Sequence, residues 1–146
     1  MRIWHTSLIS VLPKEQLVAQ WRELSAIAGA IQKNGTPNHI LVNFVLDYDY
    51  DNFISYAYYL RKEMTSRGYR TMNSVWDKIV ALKPDYNLLS FEEIYKNKMN
   101  NVYFMICYHN LLEKALCGGI KKEDFEKIQD IAKKIANNII EDIGEV

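Results

Sequence analysis

The chain is short of the residues that staple, kink or anchor proteins. Among 146 residues there are two cysteines, three prolines and six glycines. Cys107 and Cys117 are too few for a disulfide framework and read as reduced thiols of a cytoplasmic protein. No apolar run approaches the roughly 20 residues that cross a bilayer, so no membrane partner is expected. Met1-Arg2-Ile3-Trp4-His5 leads into no long apolar segment of the signal-peptide kind. Glycine-rich phosphate loops, serine-nucleophile elbows and paired-histidine motifs are all lacking. His5, His39 and His109 show no metal-type spacing, and Cys107 with His109 is too small a set for zinc. Neither a metal nor another cofactor is therefore expected.

Charge of one sign is lacking too. Lysine and arginine number 18, as do aspartate and glutamate, so the formal net charge is zero. That argues against a uniformly basic nucleic-acid surface. The distribution is less even. All five arginines (Arg2, Arg22, Arg61, Arg67, Arg70) lie in the first 70 residues, which carry eight basic and six acidic side chains. The remainder carries ten and twelve. Only clustering on one face would turn this asymmetry into a phosphate-binding surface.

What the chain does have is helical periodicity. Its length suits one domain able to bury about two-thirds of its unfolded surface. Leu17, Trp21, Leu24, Ala28 and Ile31 recur at helical spacing behind Pro13, so a helix is expected over 14–32, ending at Asn34-Gly35-Thr36-Pro37. Residues 38–46 are apolar and fit either a strand or a buried helix. Asp51 is placed to cap a helix over 52–67, with Gly68 as its stop. A short helix follows over 74–82. Ser90 with Glu93 has the form of a capping box, predicting a helix over 90–97. Helices over 101–117 and 121–143 complete the chain, split by Gly118-Gly119. Phe125, Ile128, Ile131, Ile135, Ile139 and Ile143 line one face of the last. No repeat or linker interrupts the pattern. The fold class expected is all-α, one compact domain of about five to six helices spanning residues 1–146.

On the first helix, Gln16, Gln20 and Glu23 form a second, polar stripe, and Arg22 points about 100° away from Glu23. The chain opens Met1-Arg2-Ile3, so an α-amine and a second arginine can fold back onto that helix. An amine, a carboxylate and two arginines can in principle do covalent chemistry on a sugar–phosphate backbone without metal.

Residues 1–46 resemble the pyrimidine-dimer DNA glycosylase family. The pieces that carry the likeness are Met1-Arg2-Ile3, Leu8-Ile9-Ser10, Leu12, Gln16-Leu17, Ala19, Arg22-Glu23-Leu24, Gly29-Ala30-Ile31 and Lys33, then His39 with the apolar run behind it. Weaker similarity reaches Arg67-Gly68-Tyr69. The opening Met-Arg-Ile-Trp-His is closer to a bacterial branch of the family than to its phage member. The resemblance implies an all-helical DNA-repair enzyme, a glycosylase with abasic-site lyase activity, acting on damaged double-stranded DNA in the cytoplasm, at the nucleoid. It implies Met1 as nucleophile through its α-amine, Glu23 as the catalytic carboxylate, and Arg2, Arg22, Gln16 and Lys33 as DNA contacts. An α-amine titrates near pH 8, so part of it is free nucleophile at neutral pH, whereas an ordinary lysine is not. Guanidinium forks suit flanking phosphates better than ammonium groups do.

The chain departs from the family in places. Gln16 stands where the family has a histidine, Ala26 where it has a phosphate-contacting arginine, and the acidic end Ile140-Glu141-Asp142-Ile143-Gly144-Glu145-Val146 replaces an aromatic, basic tail. These departures keep two alternatives open: a non-catalytic DNA- or protein-binding domain of the same fold, or a helical interaction module unrelated to DNA. Lys33 also fits a helix C-terminus on dipole grounds alone. Trp4 reads as a core anchor and His39 as a structural hydrogen-bonding residue. Tyr48, Tyr50, Phe53, Tyr56, Tyr58, Tyr59 and Tyr69 can stack on bases, but core packing claims most of them. Arg61, Lys62, Arg67 and Arg70 fit either ordinary helix charges or outlying phosphate contacts. Oligomeric state is left open, with a monomer as the default.

Overall fold

A computed structural model describes the backbone of residues 1–144 and the side chains of residues 1–137. Among the described residues every regular element is helical and there is no strand. A 3-10 turn at Thr6–Val11 leads into α1 (Lys14–Asn34). A second turn, Asn43–Asp47, precedes α2 (Asp51–Ser66) and α3 (Asn73–Val80). A one-turn piece at Phe91–Glu93 precedes α4 (Asn101–Leu116) and α5 (Lys122–Gly144).

The core forms where the apolar stripes meet. Leu17, Trp21, Leu24, Ile27 and Ala28 of α1 are buried against Phe53, Ile54, Ala57, Leu60 and Met64 of α2. α3 lies across α1 and α2, closing one side with Ile79. α4 and α5 pair on the other side through Phe104, Cys107, Leu111, Phe125 and Ile128, and α5 packs on the Thr6–Val11 turn. Ile3, Leu8, Ile9 and Leu12 of the N-terminal lead enter the same core. Ile131 and Ile135 continue the apolar face of α5, while Ile139, Ile143 and the acidic end fall outside the described side chains.

Helix boundaries follow local chemistry. α1 ends on Gly35 with φ 75°, whose N–H returns to Ile31 O, and Gly68 with φ 80° stops the turn after α2. Three expectations need correction. The 38–46 segment is neither strand nor long helix. It is a hydrogen-bonded turn leading into a 3-10 turn, with Val42 and Val45 buried and Ile40, Leu41 and Leu46 facing solvent. Asp51 does not cap α2. Asp49 Oδ1 takes the Asp51 N–H at 2.8 Å, and the Asp51 carboxylate instead receives Asn87 N–H at 3.0 Å and Lys83 at 3.1 Å. The Ser90–Glu93 side-chain bond forms at 2.7 Å, but the helix stops at Glu93. Ile94 and Tyr95 are both buried, and Tyr95 (φ 49°) and Asn97 (φ 78°) adopt left-handed conformations that no α-helix propagates.

Arg67 holds the lead onto α2. Its Nη1 donates to Leu12 O at 2.7 Å, its Nη2 to Ser10 O at 3.1 Å, and its Nε to Glu63 at 2.9 Å. The fork thus serves the carbonyls that the 3-10 turn leaves open, and phosphate binding would compete with that role. Arg67→Ala should lower the unfolding free energy by about 2 kcal/mol in urea titrations, since charge-assisted bonds to partly buried carbonyls are lost. Arg67→Lys should recover only part of it, because one ammonium does not span two carbonyls.

Candidate active site

The N-terminal lead crosses α1 in an extended stretch, and no neighbouring strand satisfies its peptide groups. Side chains from three helices do so. Gln20, on α1, is fully buried. Its Oε1 accepts the Trp4 N–H at 2.8 Å, and its Nε2 donates to Arg2 O at 2.8 Å. The carboxamide therefore pairs with the residues on either side of Ile3, as the N–H and C=O of one residue in a parallel partner strand would. Tyr56 of α2 donates to Trp4 O at 2.6 Å, and its oxygen lies 3.1 Å from Gln20 Oε1. Tyr103 of α4 donates to Ile3 O. Ile3 itself is fully buried, so an apolar anchor and side-chain hydrogen bonds together fix the lead.

Glu23 is drawn into the same cluster. Gln20 Nε2 also donates to Glu23 Oε2 at 3.3 Å, so one amide nitrogen joins the Arg2 carbonyl to the carboxylate. Met1 continues from this anchored stretch and is 47% exposed, so residue 1 reaches solvent beside the site. Burial, helped by neighbouring groups that include Glu23, holds the Tyr56 phenol well above its ordinary value, so it serves as a neutral donor.

Arg2 turns towards α4. Its guanidinium lies over the Trp4 ring at 5.9 Å and close to the Tyr103 hydroxyl and the Cys107 thiol. Burial pushes both of those groups up, and Arg2 partly offsets the effect. Lys98, in the loop before α4, sits over the Tyr103 ring at 4.3 Å and the Phe44 ring at 4.7 Å. Two cations thus rest on aromatic faces beside the start of the chain.

The remaining sequence-derived candidates are more dispersed. Arg22 is exposed on the neighbouring face of α1. Lys33 is exposed in the last turn of α1, about 15 Å along the axis from Glu23. Gln16 is buried, with its Oε1 lacking a hydrogen-bond partner among the described residues, so a contact to DNA would require the side chain to turn outward. Arg61 is held by Thr71 and Asn73 between the Trp21 and Trp76 rings. It borders a groove of about 570 Å³ that lies apart from the Glu23 cluster. His39 hydrogen-bonds its own turn, its Nδ1 taking the Leu41 N–H at 3.3 Å. Trp4 is only partly buried against the core.

Sequence reasoning missed Gln20, Tyr56, Tyr103 and Lys98 as parts of the site. Gln20 had a visible signal, its place between Gln16 and Glu23 on one stripe. Tyr103 had none, since it meets Ile3 across 100 residues of chain. Among the described residues no group of three or more histidine, cysteine, aspartate or glutamate side chains is placed to hold a metal ion.

His5 ties the lead to the segment before α4. Its Nδ1 accepts the Ser7 N–H at 3.1 Å, and its ring donates towards the Met99 and Asn100 carbonyls. Burial lowers the imidazole below its ordinary value, an effect those two carbonyls partly offset. The folded state thus favours the neutral ring, and the unfolded chain binds its proton first as pH falls. Stability from this group should be complete above about pH 6.5 and lost below it. Urea midpoints measured from pH 8 to 5.5 should drop through that interval, and His5→Gln should flatten the step.

Comparison with known families places these residues in context. A family model described as pyrimidine dimer DNA glycosylase matches residues 1–77. That span holds the lead, α1, α2 and the start of α3, hence Gln20, Glu23 and Tyr56 but not Lys98 or Tyr103. Comparison with curated proteins and with solved structures finds no match.

Proposed function

The chain belongs to the pyrimidine dimer DNA glycosylase family, and from that premise we propose that it cuts damaged DNA by covalent catalysis through its N-terminal amine. The observation that carries the reading is the Gln20 amide, which ties the Arg2 carbonyl and the Glu23 carboxylate together next to a solvent-reaching residue 1.

In the proposed reaction the unprotonated α-amine of Met1 attacks C1′ of the damaged nucleotide. The C1′–N bond breaks and the base leaves with the bonding electrons, taking up a proton. The attached amine then gives up one proton and O4′ takes one up as the sugar ring opens, leaving a protonated imine between the amine nitrogen and C1′. Loss of a proton from C2′ then expels the 3′ phosphate oxygen from C3′, which cuts the strand, and water releases the unsaturated aldehyde and restores the amine. Glu23 stabilises the cationic sugar and imine and carries protons. Arg2 and Arg22 hold phosphates flanking the lesion, and Lys33 reaches a phosphate further along the duplex. The target nucleotide has to leave the stack, because C1′ is shielded within it. No helix among the described residues is long and apolar enough to cross a membrane, and a soluble, nucleoid-associated enzyme fits the proposed substrate.

A second reading, a non-catalytic DNA-binding domain of the same fold, draws on the zero net charge and on Ala26 in place of a phosphate-contacting arginine. One experiment separates them. Borohydride should trap a covalent adduct between the protein and an abasic-site duplex. Intact-mass measurement should find Met1 present and unmodified in the reactive protein. A peptide tag ahead of Met1, or acetylation of its amine, should abolish the adduct. Glu23→Gln should reduce strand cleavage by about 100-fold or more while leaving duplex affinity within a few-fold. Salt-sensitive DNA binding without any trapped adduct would replace the enzyme reading with the second one.

A further inference from the structure

The environment of Gln20 leaves no freedom in how its side chain is used. Trp4 N–H is a donor only, and Arg2 C=O is an acceptor only. The amide must therefore point Oε1 at the first and Nε2 at the second, as found at 2.8 Å each. That orientation directs the remaining Nε2 proton at Glu23 Oε2, 3.3 Å away. With the residue fully buried, water does not substitute for any of these partners.

We propose that Gln20 is the positioning residue of the reaction: its carboxamide sets the spacing between the chain's first residues and the Glu23 carboxylate. The proposal rests on the covalent reading above and deepens it. Only an amide meets the requirement. It offers two protons to two acceptors and an oxygen to a donor, on one rigid plane. A glutamate at position 20 is nearly isosteric but wrong in charge. Ionised, it would face both the Arg2 carbonyl and the Glu23 carboxylate without a proton for either. Protonated, it would have one proton for two acceptors. The two carboxyl groups would then share a proton and titrate as a pair, leaving position 23 partly protonated at neutral pH. The helix supplies the rest of the geometry, since residues 20 and 23 are neighbours on one face of α1.

The test compares full-length wild type with Gln20→Glu, Gln20→Met and Gln20→Ala on an abasic-site duplex, under single-turnover conditions from pH 5.5 to 8.5. Wild type should form the borohydride-trapped adduct and cleave. Gln20→Glu should cleave at least ten-fold more slowly at pH 7, with the acidic limb of its pH–rate profile moved up by about one unit. Its duplex affinity should stay within three-fold. Gln20→Met keeps the volume and removes every polar contact. It should lose rate by a similar or larger factor with no shift of the acidic limb. It should also lose hydrogen-exchange protection at the Trp4 amide, which wild type and Gln20→Glu report independently of activity. Gln20→Ala should behave as Gln20→Met does if it folds. If wild type reacts and Gln20→Glu keeps both its rate and its pH profile, the positioning role is wrong while the function stands. If wild type itself forms no adduct, the function falls and the positioning role falls with it. A pH shift of equal size in Gln20→Met would also overturn the proposal, since no second carboxyl group is present to cause it.

Discussion

The structure depends on how an extended peptide is kept inside a helical protein. Ile3 is an apolar anchor with no exposed surface, and burying it drags the polar groups of Arg2, Ile3 and Trp4 out of water. Each orphaned peptide group would cost on the order of 1–3 kcal/mol. A second strand would satisfy them, but none exists among the described residues. Instead α1 supplies a carboxamide, α2 a phenol and α4 a second phenol, so four main-chain groups are paired by three side chains. Residues 2–4 are consequently held by three helices at once. Anchoring of that kind suits the proposed reaction, because small misplacements of reacting atoms are costly in rate.

The same arrangement explains why the arginine surplus of the N-terminal half is smaller than it looks. Arg67 spends its fork on the carbonyls of Ser10 and Leu12, and Arg61 is held by Thr71 and Asn73 between two tryptophans. Both hold the N-terminal part of the fold together. Arg22 and Lys33 remain exposed, with Arg2 leaning on Trp4 and Lys98 resting on Tyr103 and Phe44. A neutral protein can still offer local cationic contacts in this way, and the proposed phosphate contacts are few and close to the site. Phosphate contacts position a duplex without reading it, so a small number suffices when the chemistry itself selects the reacting sugar.

Much of the helical framework was legible in the chain, because long amphipathic stripes with clear stops leave little choice. Leu17, Trp21, Leu24 and Ala28 did become the buried face of α1, and Gly35 and Gly68 did end their segments. The failures differ in cause. Around residues 38–46 local bonds prevail, with His39 N–H donating to Asn43 Oδ1 and His39 O accepting the Val42 and Asn43 N–H groups; around residues 90–97 the cap forms but tertiary partners override it. Asn52 takes the Tyr95 N–H at 2.8 Å and Tyr48 donates to Lys96 O at 2.7 Å, pulling that segment out of helix. Asp51 was similarly drawn from a capping role by Lys83 and Asn87. None of these tertiary partners is close in sequence, so periodicity carries no trace of them.

The candidate site was legible in the same partial way. Arg2, Arg22 and Glu23 could be singled out through the family likeness of a short lead and one helix, although Arg2 turns towards α4 and Arg22 lies on a neighbouring face of α1. Gln20 was visible only as a member of a polar stripe; its full burial and its four contacts follow from the lead folding over it. Tyr103 and Lys98 come from beyond the span that matches the family; Tyr103 braces Ile3, and Lys98 rests on the Tyr103 ring. The candidate site is therefore built in two layers, one inside the family match and one outside it. The layer within the family match carries the Arg2 carbonyl, the Glu23 carboxylate and the Gln20 amide between them. A second layer, from α4 and the loop before it, fixes Ile3 and surrounds Arg2 with a phenol and a thiol. A peptide held on both sides has less freedom than one held by α1 alone, so the second layer contributes order to the site while leaving its proposed chemistry to the first.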